Sequence, residues 1–510
     1  MKKSAPRDPS DELPESPIAF HPSSNGEFEP RPATERDRRA ATLYHEIVEQ
    51  KSSRLGMSRR EFTESAAGMV AALFVMNEVY GCSTERSTDG ASGSRGFSRD
   101  AGFDIPQNVG PQDAARANAD AGYDASAGAI EDAARGDSVV SGREFIFDVQ
   151  THTTVPAPPW NASTCNTNTP MLCPTAYLAG IFVDSDTSMA CLSGYPAARQ
   201  NDRPSIQARG QIKEIVDRFE GSPRLVIHAN VRPDEGMVEL DAMAEDARRF
   251  PVAAWKTYPP ERNGDGLDSD RYGRPFLERA RETGVRVIAS HRGIGDDGGA
   301  WNGRYSPRDV VAAAKAAPDI KFLIYHSGWQ SGVAEDHPLN LADTAPRGVD
   351  RLLRALLDAG LGPDGNVYAE LGTTWFSLMG DMSQAAHVMG KLLKYLGPER
   401  ILWGTDSYNN GGPQPQIAAF RAFQIPQSMQ DLYGYPALTP EVKAKIFGLN
   451  AAAVYGVDPT VMRRKLEQDE IDRIVLTRRD GPRPFPRGPR PHGPRTRREY
   501  LAFLRWSGEA

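Results

Sequence analysis

The sequence predicts a (β/α)8 barrel of the TIM type, formed by residues 143–458. Short apolar runs alternate eight times with helical stretches along this segment, which is the pattern of a parallel barrel. Polar residues stand at the carboxyl ends of most of these runs, where barrel enzymes carry their chemistry. The alternative is a doubly wound open sheet, which would bind its ligand at one strand-order switch and would not explain so many polar strand ends.

Each predicted strand is a run of β-branched, aromatic and other apolar residues, and a long loop rich in Pro, Asn and Thr follows the first one. The predicted strands are 145–149, 189–192, 224–229, 252–256, 285–291, 321–326, 366–370 and 400–406. Three of the helices end at Gly284, Gly360 and Gly397, since glycine supplies the left-handed cap that the turn needs. The predicted helices are 176–182, 207–219, 238–250, 275–283, 307–317, 349–359, 383–396 and 439–454.

The segments outside the barrel have different compositions. Residues 1–56 are polar and charged without a lasting apolar period, which predicts a disordered extension. Residues 83–142 are rich in Gly, Ala, Ser and Asp and predict a flexible linker. Residues 459–510 form a basic tail with repeated Pro and Arg, which favours extended, polyproline-like chain.

Residues 57–82 contain a candidate export signal. Arg59 and Arg60 precede the mostly apolar run 66–76, and this pattern resembles a twin-arginine signal read by the corresponding export machinery. The run is about half of the ~20 residues that span a bilayer, so a transmembrane helix is not expected. The interpretation predicts an exported, periplasmic protein; the alternative is a soluble amphipathic helix with two solvated arginines, in a cytoplasmic protein.

Cys82 ends the sequence Val79-Tyr80-Gly81-Cys82, which resembles a lipoprotein cleavage box. A lipid anchor at Cys82 is therefore one interpretation, although Tyr80 fits the small-residue position poorly and an ordinary free cysteine is the other. Cys165 and Cys173 lie in the loop after the first strand and would be able to form a disulfide outside the cytoplasm.

The composition of the 510-residue chain narrows the class of function. Apolar residues make up 39% and charged residues 25%, which is enough for a large core and excludes wholesale disorder. The net charge of −7 disfavours a protein that binds nucleic acid mainly through charge. The remaining expectation is a protein that acts on a small molecule, and a homo-oligomer is compatible with the sequence.

The polar strand ends predict one shared site at the mouth of the barrel. Neutral imidazole and carboxylate are ligands for Zn²⁺, Mn²⁺ or Fe²⁺, so metal chemistry is the natural use of this set. Gln150 and His152 are two residues apart and should face the same side of their strand. The set consists of Gln150, His152, His228, Lys256, His291, His326, Glu370 and Asp406.

Four motifs stand at the predicted strand ends, in the order Asp148-Val149-Gln150-Thr151-His152, Ala289-Ser290-His291, Tyr325-His326-Ser327-Gly328 and Trp403-Gly404-Thr405-Asp406-Ser407. A fifth segment, Lys445-Ile446-Phe447-Gly448-Leu449-Asn450-Ala451-Ala452, closes the series. The four motifs resemble those of the amidohydrolase-related metal-dependent hydrolases, in the branch that includes aminocarboxymuconate-semialdehyde decarboxylase, and the closing segment is similar to that family's final helix. The resemblance covers about residues 143–458.

The resemblance implies one divalent metal ion, with Zn²⁺ first and Mn²⁺ or Fe²⁺ as alternatives. It implies that His152 and His291 bind the metal, that Asp406 completes the site and moves a proton, and that His326 acts on substrate or water. The family usually has His-x-His after the first strand, whereas this chain has Gln150-x-His152. Gln150 would then bind through its amide oxygen, hold a water, or leave the metal loosely bound.

Three functions follow from this interpretation. The protein would be a metal-dependent hydrolase of small, carboxylated or cyclic substrates, a non-oxidative decarboxylase, or a catalytically impaired binding barrel, which Gln150 would explain.

Three further residues are substrate-binding candidates, each with a structural alternative. Lys256 would pair with a substrate carboxylate or extend through the barrel as a structural lysine. Glu370 would orient a ligand, bind substrate or form a salt bridge. Trp329 would line an apolar pocket or pack in the core.

Overall fold

The structure is a computed structural model that divides into two compact units, one with the described N-terminal helices and one with the barrel. It describes residues 32–54, 58–63, 144–153, 177–196, 204–217, 223–260, 266–294, 301–407 and 410–466, with single residues 16, 71, 72, 75, 79 and 202. Cys82, Cys165, Cys173, the linker 83–142 and most of the apolar run 66–76 lie outside these residues.

The N-terminal unit contains helices α1 (Glu35–Arg54) and α2 (Arg59–Thr63). The Thr34 hydroxyl accepts from the Asp37 amide, and the Asp37 carboxylate accepts from the Thr34 amide at 2.7 Å, which is a capping box. The 20-residue α1 lies inside the segment predicted to be disordered, so the prediction is wrong for these residues. The signal that it missed is the cap followed by a stripe of buried residues at helical spacing: Asp37, Ala40, Tyr44, Val48 and Lys51.

Eight parallel strands form one sheet in which each strand pairs with the next along the chain. The strands are β1 (Phe147–Thr151), β2 (Met189–Leu192), β3 (Leu225–Asn230), β4 (Val252–Thr257), β5 (Val287–His291), β6 (Lys321–Tyr325), β7 (Val367–Glu370) and β8 (Ile401–Leu402). Main-chain hydrogen bonds close the ring between the last strand and the first: Val149 donates to the Trp403 carbonyl at 3.0 Å, and Asp406 donates to the Gln150 carbonyl at 2.9 Å. The barrel prediction is confirmed, and the open sheet is excluded.

Helices follow the strands as the sequence analysis predicts, with boundaries that differ by a few residues. In the barrel unit they are α3 (Ile206–Asp217), α4 (Met237–Arg249), α5 (Gly273–Glu282), α6 (Arg308–Ala316), α7 (Asp350–Ala359), α8 (Thr374–Leu378), α9 (Met382–Tyr395), α10 (Pro413–Ala422), α11 (Gln427–Tyr433), α12 (Pro440–Ala444), α13 (Asn450–Tyr455) and α14 (Pro459–Leu466), with π-helical turns at Ala179–Val183 and Lys445–Leu449. Four of these helices were not predicted: α8, α10, α11 and α14.

A β-bulge in β1 decides which of its side chains face the barrel interior. Phe147 pairs with Met189 of β2, and both belong to the interior cluster; Thr151 pairs with Leu192, which belongs to an outer cluster beneath α3. Four residues of β1 therefore match three of β2, and the register shift between Asp148 and Thr151 reverses the side-chain alternation. Thr151 points outward and bonds the Tyr177 hydroxyl at 2.6 Å, which turns its neighbours inward.

The C-terminal helices cover the end of the barrel where the strands begin. Ala451, Val454 and Met462 pack against the interior cluster, and Lys321 at the start of β6 donates to the Val454 carbonyl at 2.9 Å. Helix α14 occupies the beginning of the segment 459–510 that was predicted as an extended tail, so that prediction is wrong for Pro459–Leu466. Among the described residues, no helix is long and apolar enough to cross a membrane.

Candidate active site

The candidate site lies at the carboxyl ends of the strands, where the backbone takes up unusual conformations. Outside glycine, the described residues with positive φ are His326 (67°), Ser327 (53°), Thr373 (55°) and Asp406 (56°), in the turns that follow β6, β7 and β8. Such conformations cost of the order of 1–3 kcal/mol each and concentrate at functional sites. Their grouping around one end of the barrel marks that end as the functional one.

His152 lies between a backbone acceptor and a carboxylate. Its Nδ1 is 3.1 Å from the Ser193 carbonyl oxygen, and its Nε2 is 3.2 Å from Asp406 Oδ1 and 3.3 Å from Gln150 Nε2. Since a carbonyl only accepts, Nδ1 carries the hydrogen and Nε2 presents its lone pair to the Asp406 oxygen. The Thr373 hydroxyl donates to the other oxygen of Asp406.

His291 and His326 form a second pair of the same kind. The Nδ1 of His291 is 3.1 Å from the Nε2 of His326, and the remaining ring nitrogens contact the carbonyl oxygens of Ile294 at 2.6 Å and Gly372 at 2.7 Å. Both remaining nitrogens must donate, so in neutral rings the two facing nitrogens both carry lone pairs. A proton or a cation is needed between such atoms.

The donor set therefore has the chemistry of a metal site. Imidazole lone pairs and a carboxylate oxygen face one another across 3.1–3.2 Å, and backbone carbonyls accept from the other ring nitrogens and fix the rings, as the partners of metal-binding histidines do. The buried Gln150 Oε1 has no hydrogen-bond partner among the described residues, which is costly unless a ligand satisfies it. Within the described residues the donors are arranged as two pairs, and no three His, Cys, Asp or Glu side chains form a metal-binding group.

Glu370 supports the strained turns rather than pairing with a cation. Its carboxyl oxygens accept from the amides of Gly372 at 2.6 Å and His326 at 3.1 Å. Burial, with a smaller contribution from the charge of Asp406, raises the pKa of Glu370 to about 8, against His326 and the amide hydrogen bonds, which lower it. Gly372 and Gly404 leave room for it, since a Cβ at Gly404 would lie 1.7 Å from Glu370 Oε1.

Lys256 and His228 lie in the barrel interior. The Lys256 ammonium is 3.6 Å from the centroid of the Tyr325 ring and 4.7 Å from that of Tyr258. The Nε2 of His228 contacts the Tyr455 hydroxyl at 2.8 Å, and burial followed by the Lys256 charge lowers the pKa of His228 well below its usual value. His228 thus packs as a neutral ring against Tyr455.

Trp329 follows the turn His326–Gly328 and is buried. Its main chain passes Gly293, at which a Cβ would lie 2.6 Å from the Trp329 carbonyl oxygen. This close approach brings the segments that follow β5 and β6 together beside His291 and His326.

Sequence reasoning missed several residues of the site. Tyr195 stacks on His152 with centroids 4.8 Å apart, while Tyr258 and Tyr305 lie 5.6 and 5.8 Å from the ring of His291. Tyr195 and Tyr258 follow β2 and β4 within three residues, whereas Tyr305 lies shortly before α6. A loop tyrosine alone gives no signal of where it folds. Thr373 was missed because a threonine after a strand is common, and only its contact with Asp406 distinguishes it.

Asp148 was not predicted as a site residue, yet its carboxylate joins the chain after β8 to β1 where the barrel closes. It accepts from the amides of Thr405 at 3.0 Å and Gln150 at 3.1 Å. Burial raises its pKa to about 7, against hydrogen bonds from Thr405 and Gln150 that lower it.

Comparisons with known proteins agree with the fold and the family. Residues 206–457 match the sequence profile of the amidohydrolase family, a segment that contains His291, His326 and Asp406 but begins after Gln150 and His152. No curated protein matches the chain.

Solved structures that align with the chain include 5-carboxyvanillate decarboxylase from Sphingomonas paucimobilis, with 14% identity, a TM-score of 0.36, and coverage of 62% of this chain and 99% of the other. A TIM-barrel protein from Bordetella bronchiseptica aligns with 12% identity and a TM-score of 0.38, covering 61% of this chain and 99% of the other. The 2,6-dihydroxybenzoate decarboxylase from Rhizobium aligns with 13% identity and a TM-score of 0.35, with the same two coverages.

Members of this family typically bind a divalent metal ion, in keeping with the donor set at the barrel mouth. With the predicted motifs on their expected strands and the profile match over most of the barrel, the chain belongs to the amidohydrolase family of enzymes.

Proposed function

We propose that this protein is a metal-dependent hydrolase of small, carboxylated or cyclic organic substrates. The observation that carries the proposal is the pairing, at the carboxyl ends of the strands, of His152 with Asp406 and of His291 with His326, each buried pair with its lone pairs facing each other. His152, His291 and Asp406 would hold one divalent ion, Zn²⁺ first and Mn²⁺ or Fe²⁺ as alternatives, and Gln150 would be a weak or indirect fourth partner.

The chain's own groups supply binding and proton transfer. When bound, the ion would act as a Lewis acid and lower the pKa of water toward ~7. His326, anchored through Nδ1 on Gly372, presents Nε2 to polarise a substrate carbonyl or shuttle a proton. Asp406, anchored by Thr373 on one oxygen, uses the other to accept a proton from the attacking water.

The surroundings of the site favour a flat substrate with negative charge. Tyr195, Tyr258 and Tyr305 place aromatic rings against the two metal-site imidazoles, and such faces accept rings and unsaturated chains. Lys256, buried beside Tyr258, adds positive charge that would favour a carboxylate. Trp329 would form one wall of the substrate pocket. Glu370 would orient His326.

Non-oxidative decarboxylation on the same barrel is the second candidate. Buried positive charge from Lys256 near a proton-transfer histidine suits a reaction in which a carboxylate is held while carbon is protonated. The third candidate is an impaired binding barrel, for which the unsatisfied amide oxygen of Gln150 is the supporting observation.

Metal content tests the proposal directly. Purified wild-type protein should contain near one Zn, Mn or Fe per chain, and His291→Ala should lose most of it because a ligand is removed. His387→Ala is the matched control, since His387 is also buried but contacts Tyr435 away from the site. Equal metal content in wild type and His291→Ala would contradict the assignment.

Product analysis separates the candidate functions. Metal-replete protein should be screened against amides, esters, lactones and aromatic or unsaturated carboxylates, with ¹³C-labelled carboxyl groups in the last class. Hydrolysis products support the proposal, and release of labelled CO₂ supports the decarboxylase. Failure to bind metal, together with no turnover, would leave the binding barrel.

A further inference from the structure

The loop that follows β2 makes an unusual set of contacts with the site. Its residues 193–195 offer three successive carbonyl oxygens, and each accepts a hydrogen bond from a different side chain. The Ser193 carbonyl faces His152 Nδ1 at 3.1 Å, that of Gly194 accepts from the Tyr258 hydroxyl at 2.7 Å, and that of Tyr195 accepts from the Asn230 amide at 2.7 Å. The backbone of this loop thus sets the tautomer of His152, and the Tyr195 ring covers one face of the same imidazole at an interplanar angle of 29°.

A buried ion pair on the side of α3 holds this loop in place. Arg209 of α3 is fully buried and donates to both oxygens of Asp202, at 2.6 and 3.3 Å. Asn230 at the end of β3 donates to Asp202 at 2.9 Å and to the loop at Tyr195. The ion pair, the amide and the loop therefore form one hydrogen-bonded network that ends on His152.

Gly194 fits this network because it has no side chain. A Cβ there would lie 2.0 Å from Arg209 Nη1 and 2.7 Å from both Asn230 Nδ2 and Asp202 Oδ1. The guanidinium, the amide and the carboxylate thus occupy the space against the loop, and a bidentate Arg–carboxylate pair is the geometry that only arginine provides.

We propose that Arg209 and Asp202, acting through the loop 193–195, and Tyr195, acting through ring stacking, are positioning residues that aim the Nε2 of His152 at Asp406. The inference rests on the proposed metal-dependent function, because its consequence for the reaction is the affinity of the site for its ion. Partners of metal-binding histidines typically contribute 10–100-fold to metal affinity.

Two variants and two matched controls test the proposal. Arg209→Lys keeps the buried charge and loses the bidentate geometry, and Arg421→Lys is its control. Arg421 is also bidentate, with Glu144 at 2.7 and 3.1 Å, but Glu144 precedes β1 at the opposite end of the barrel. Tyr195→Leu removes the stacked ring, and Tyr195→Phe retains it.

The first measurement is the Co²⁺ affinity of metal-free protein in competition with a chelator. Arg209→Lys and Tyr195→Leu should bind Co²⁺ at least about 10-fold more weakly. Arg421→Lys and Tyr195→Phe should bind as the wild type does, even where the thermal midpoint falls. Wild-type affinity in Arg209→Lys and Tyr195→Leu, or an equal loss in both controls, would overturn the proposal.

The second measurement needs no metal. In ¹⁵N-histidine-labelled, metal-free protein, His152 should show the Nδ1–H tautomer in the wild type and both controls, and tautomer averaging in Arg209→Lys and Tyr195→Leu. An unchanged single tautomer in these two variants would overturn the proposal. A wild type with the expected tautomer that binds no Co²⁺ would instead contradict the metal-dependent function and leave the positioning role supported.

Discussion

At the scale of single residues, the candidate site combines strained backbone with buried donors. His326 and Asp406 both have positive φ, which is costly for most side chains. One side-chain atom of each residue is anchored by a hydrogen bond, and a second side-chain atom faces the lone pair of a histidine nitrogen. Such anchoring is what a proton-transfer group requires, because the group must be held in reach of its partner before the reaction begins.

His326→Asn should lower turnover by about 10²–10⁴-fold, which is the usual contribution of a general acid–base group. Asparagine accepts positive φ readily, so the turn at His326 should survive and the loss should be chemical. Steady-state kinetics on the substrate found in the product screen, together with elemental analysis, provide the measurement. Loss of metal in place of turnover would show that His326 is a ligand.

Asp406→Asn should reduce both turnover and metal content, because the proposed roles of this carboxylate are to bind the ion and to accept a proton. The amide keeps the size of the side chain and tolerates its φ of 56°. Equal metal content in the variant and the wild type would remove Asp406 from the metal-binding set.

At the scale of elements, β1 and β8 determine where the first and last residues of the candidate site lie. The bulge in β1 turns Gln150 and His152 inward, and β8 is only two residues long, so the chain after it forms the polar turn that carries Asp406. Asn450 holds the start of β8 by donating to the Ile401 carbonyl at 2.8 Å, and Gly448 packs where a Cβ would lie 2.0 Å from the Phe145 carbonyl oxygen. The closing motif thus supports the two strands that carry the first and last residues of the candidate site.

Gly404→Ala should test how closely the end of β8 packs against Glu370. The new Cβ would lie 1.7 Å from Glu370 Oε1, so the carboxyl or the strand end must move. Overpacking of this kind typically costs about 1–3 kcal/mol of the free energy of unfolding, and activity should fall with it. Urea unfolding and turnover measure the two effects.

Gly362→Ala is the control for this change, because a Cβ at Gly362 meets nothing within 4 Å. Its free energy of unfolding should stay within about 0.5 kcal/mol of the wild type. Equal stability and activity in Gly404→Ala and Gly362→Ala would show that the strand end is not constrained by Glu370.

At the scale of the whole molecule, the buried His387, outside the site, contributes to the dependence of stability on pH. Burial, together with the nearby Lys391 charge, lowers the pKa of His387 to about 4, from a usual value of 6.5. His387 is therefore neutral in the folded protein while the unfolded chain takes up a proton as pH falls below about 6.5. Its contribution to stability is fully present at neutral pH and is lost as pH falls from about 6.5 to about 4.

His387→Gln should flatten this part of the profile. Urea unfolding at pH 7.5, 5.5 and 4.5 should show a smaller loss of unfolding free energy in the variant than in the wild type. Other groups that titrate in this pH range are present in both proteins. The difference between the two profiles of unfolding free energy against pH therefore isolates the contribution of His387. Parallel profiles would contradict the assigned shift.

We further propose that the Arg59–Arg60 pair directs export. Both arginines are exposed, and Arg59 pairs with Glu49 of α1 at 2.8 Å, a contact between exposed side chains that is worth little. Replacing both with lysine should leave the full-length protein in the cytoplasm, because the pair would no longer be recognised. Fractionation of cells that express each form gives the answer, and an unchanged location would favour the soluble-helix interpretation.

The sequence by itself determined the barrel, the order of its elements and the polar strand ends, because hydrophobic periodicity and strand-end chemistry are local properties that adjacent residues display. His152, His291, His326, Glu370 and Asp406 were all predicted at the mouth, and all lie there. Among the elements that the structure describes, α1, the start of the tail and the short helices α8, α10 and α11 were not predicted, and for α1 the capping box at Thr34 and Asp37 was a readable signal.

The tertiary structure alone decided how these residues face one another. The bulge in β1 follows from the register with β2, the bond between Asp406 and Gln150 closes the ring, and the contacts of Thr373 and Tyr195 join loops distant in sequence. Such contacts depend on which strands become neighbours and on what space remains between them. A sequence pattern with a period of a few residues does not encode them, since the packing of the whole barrel sets these distances.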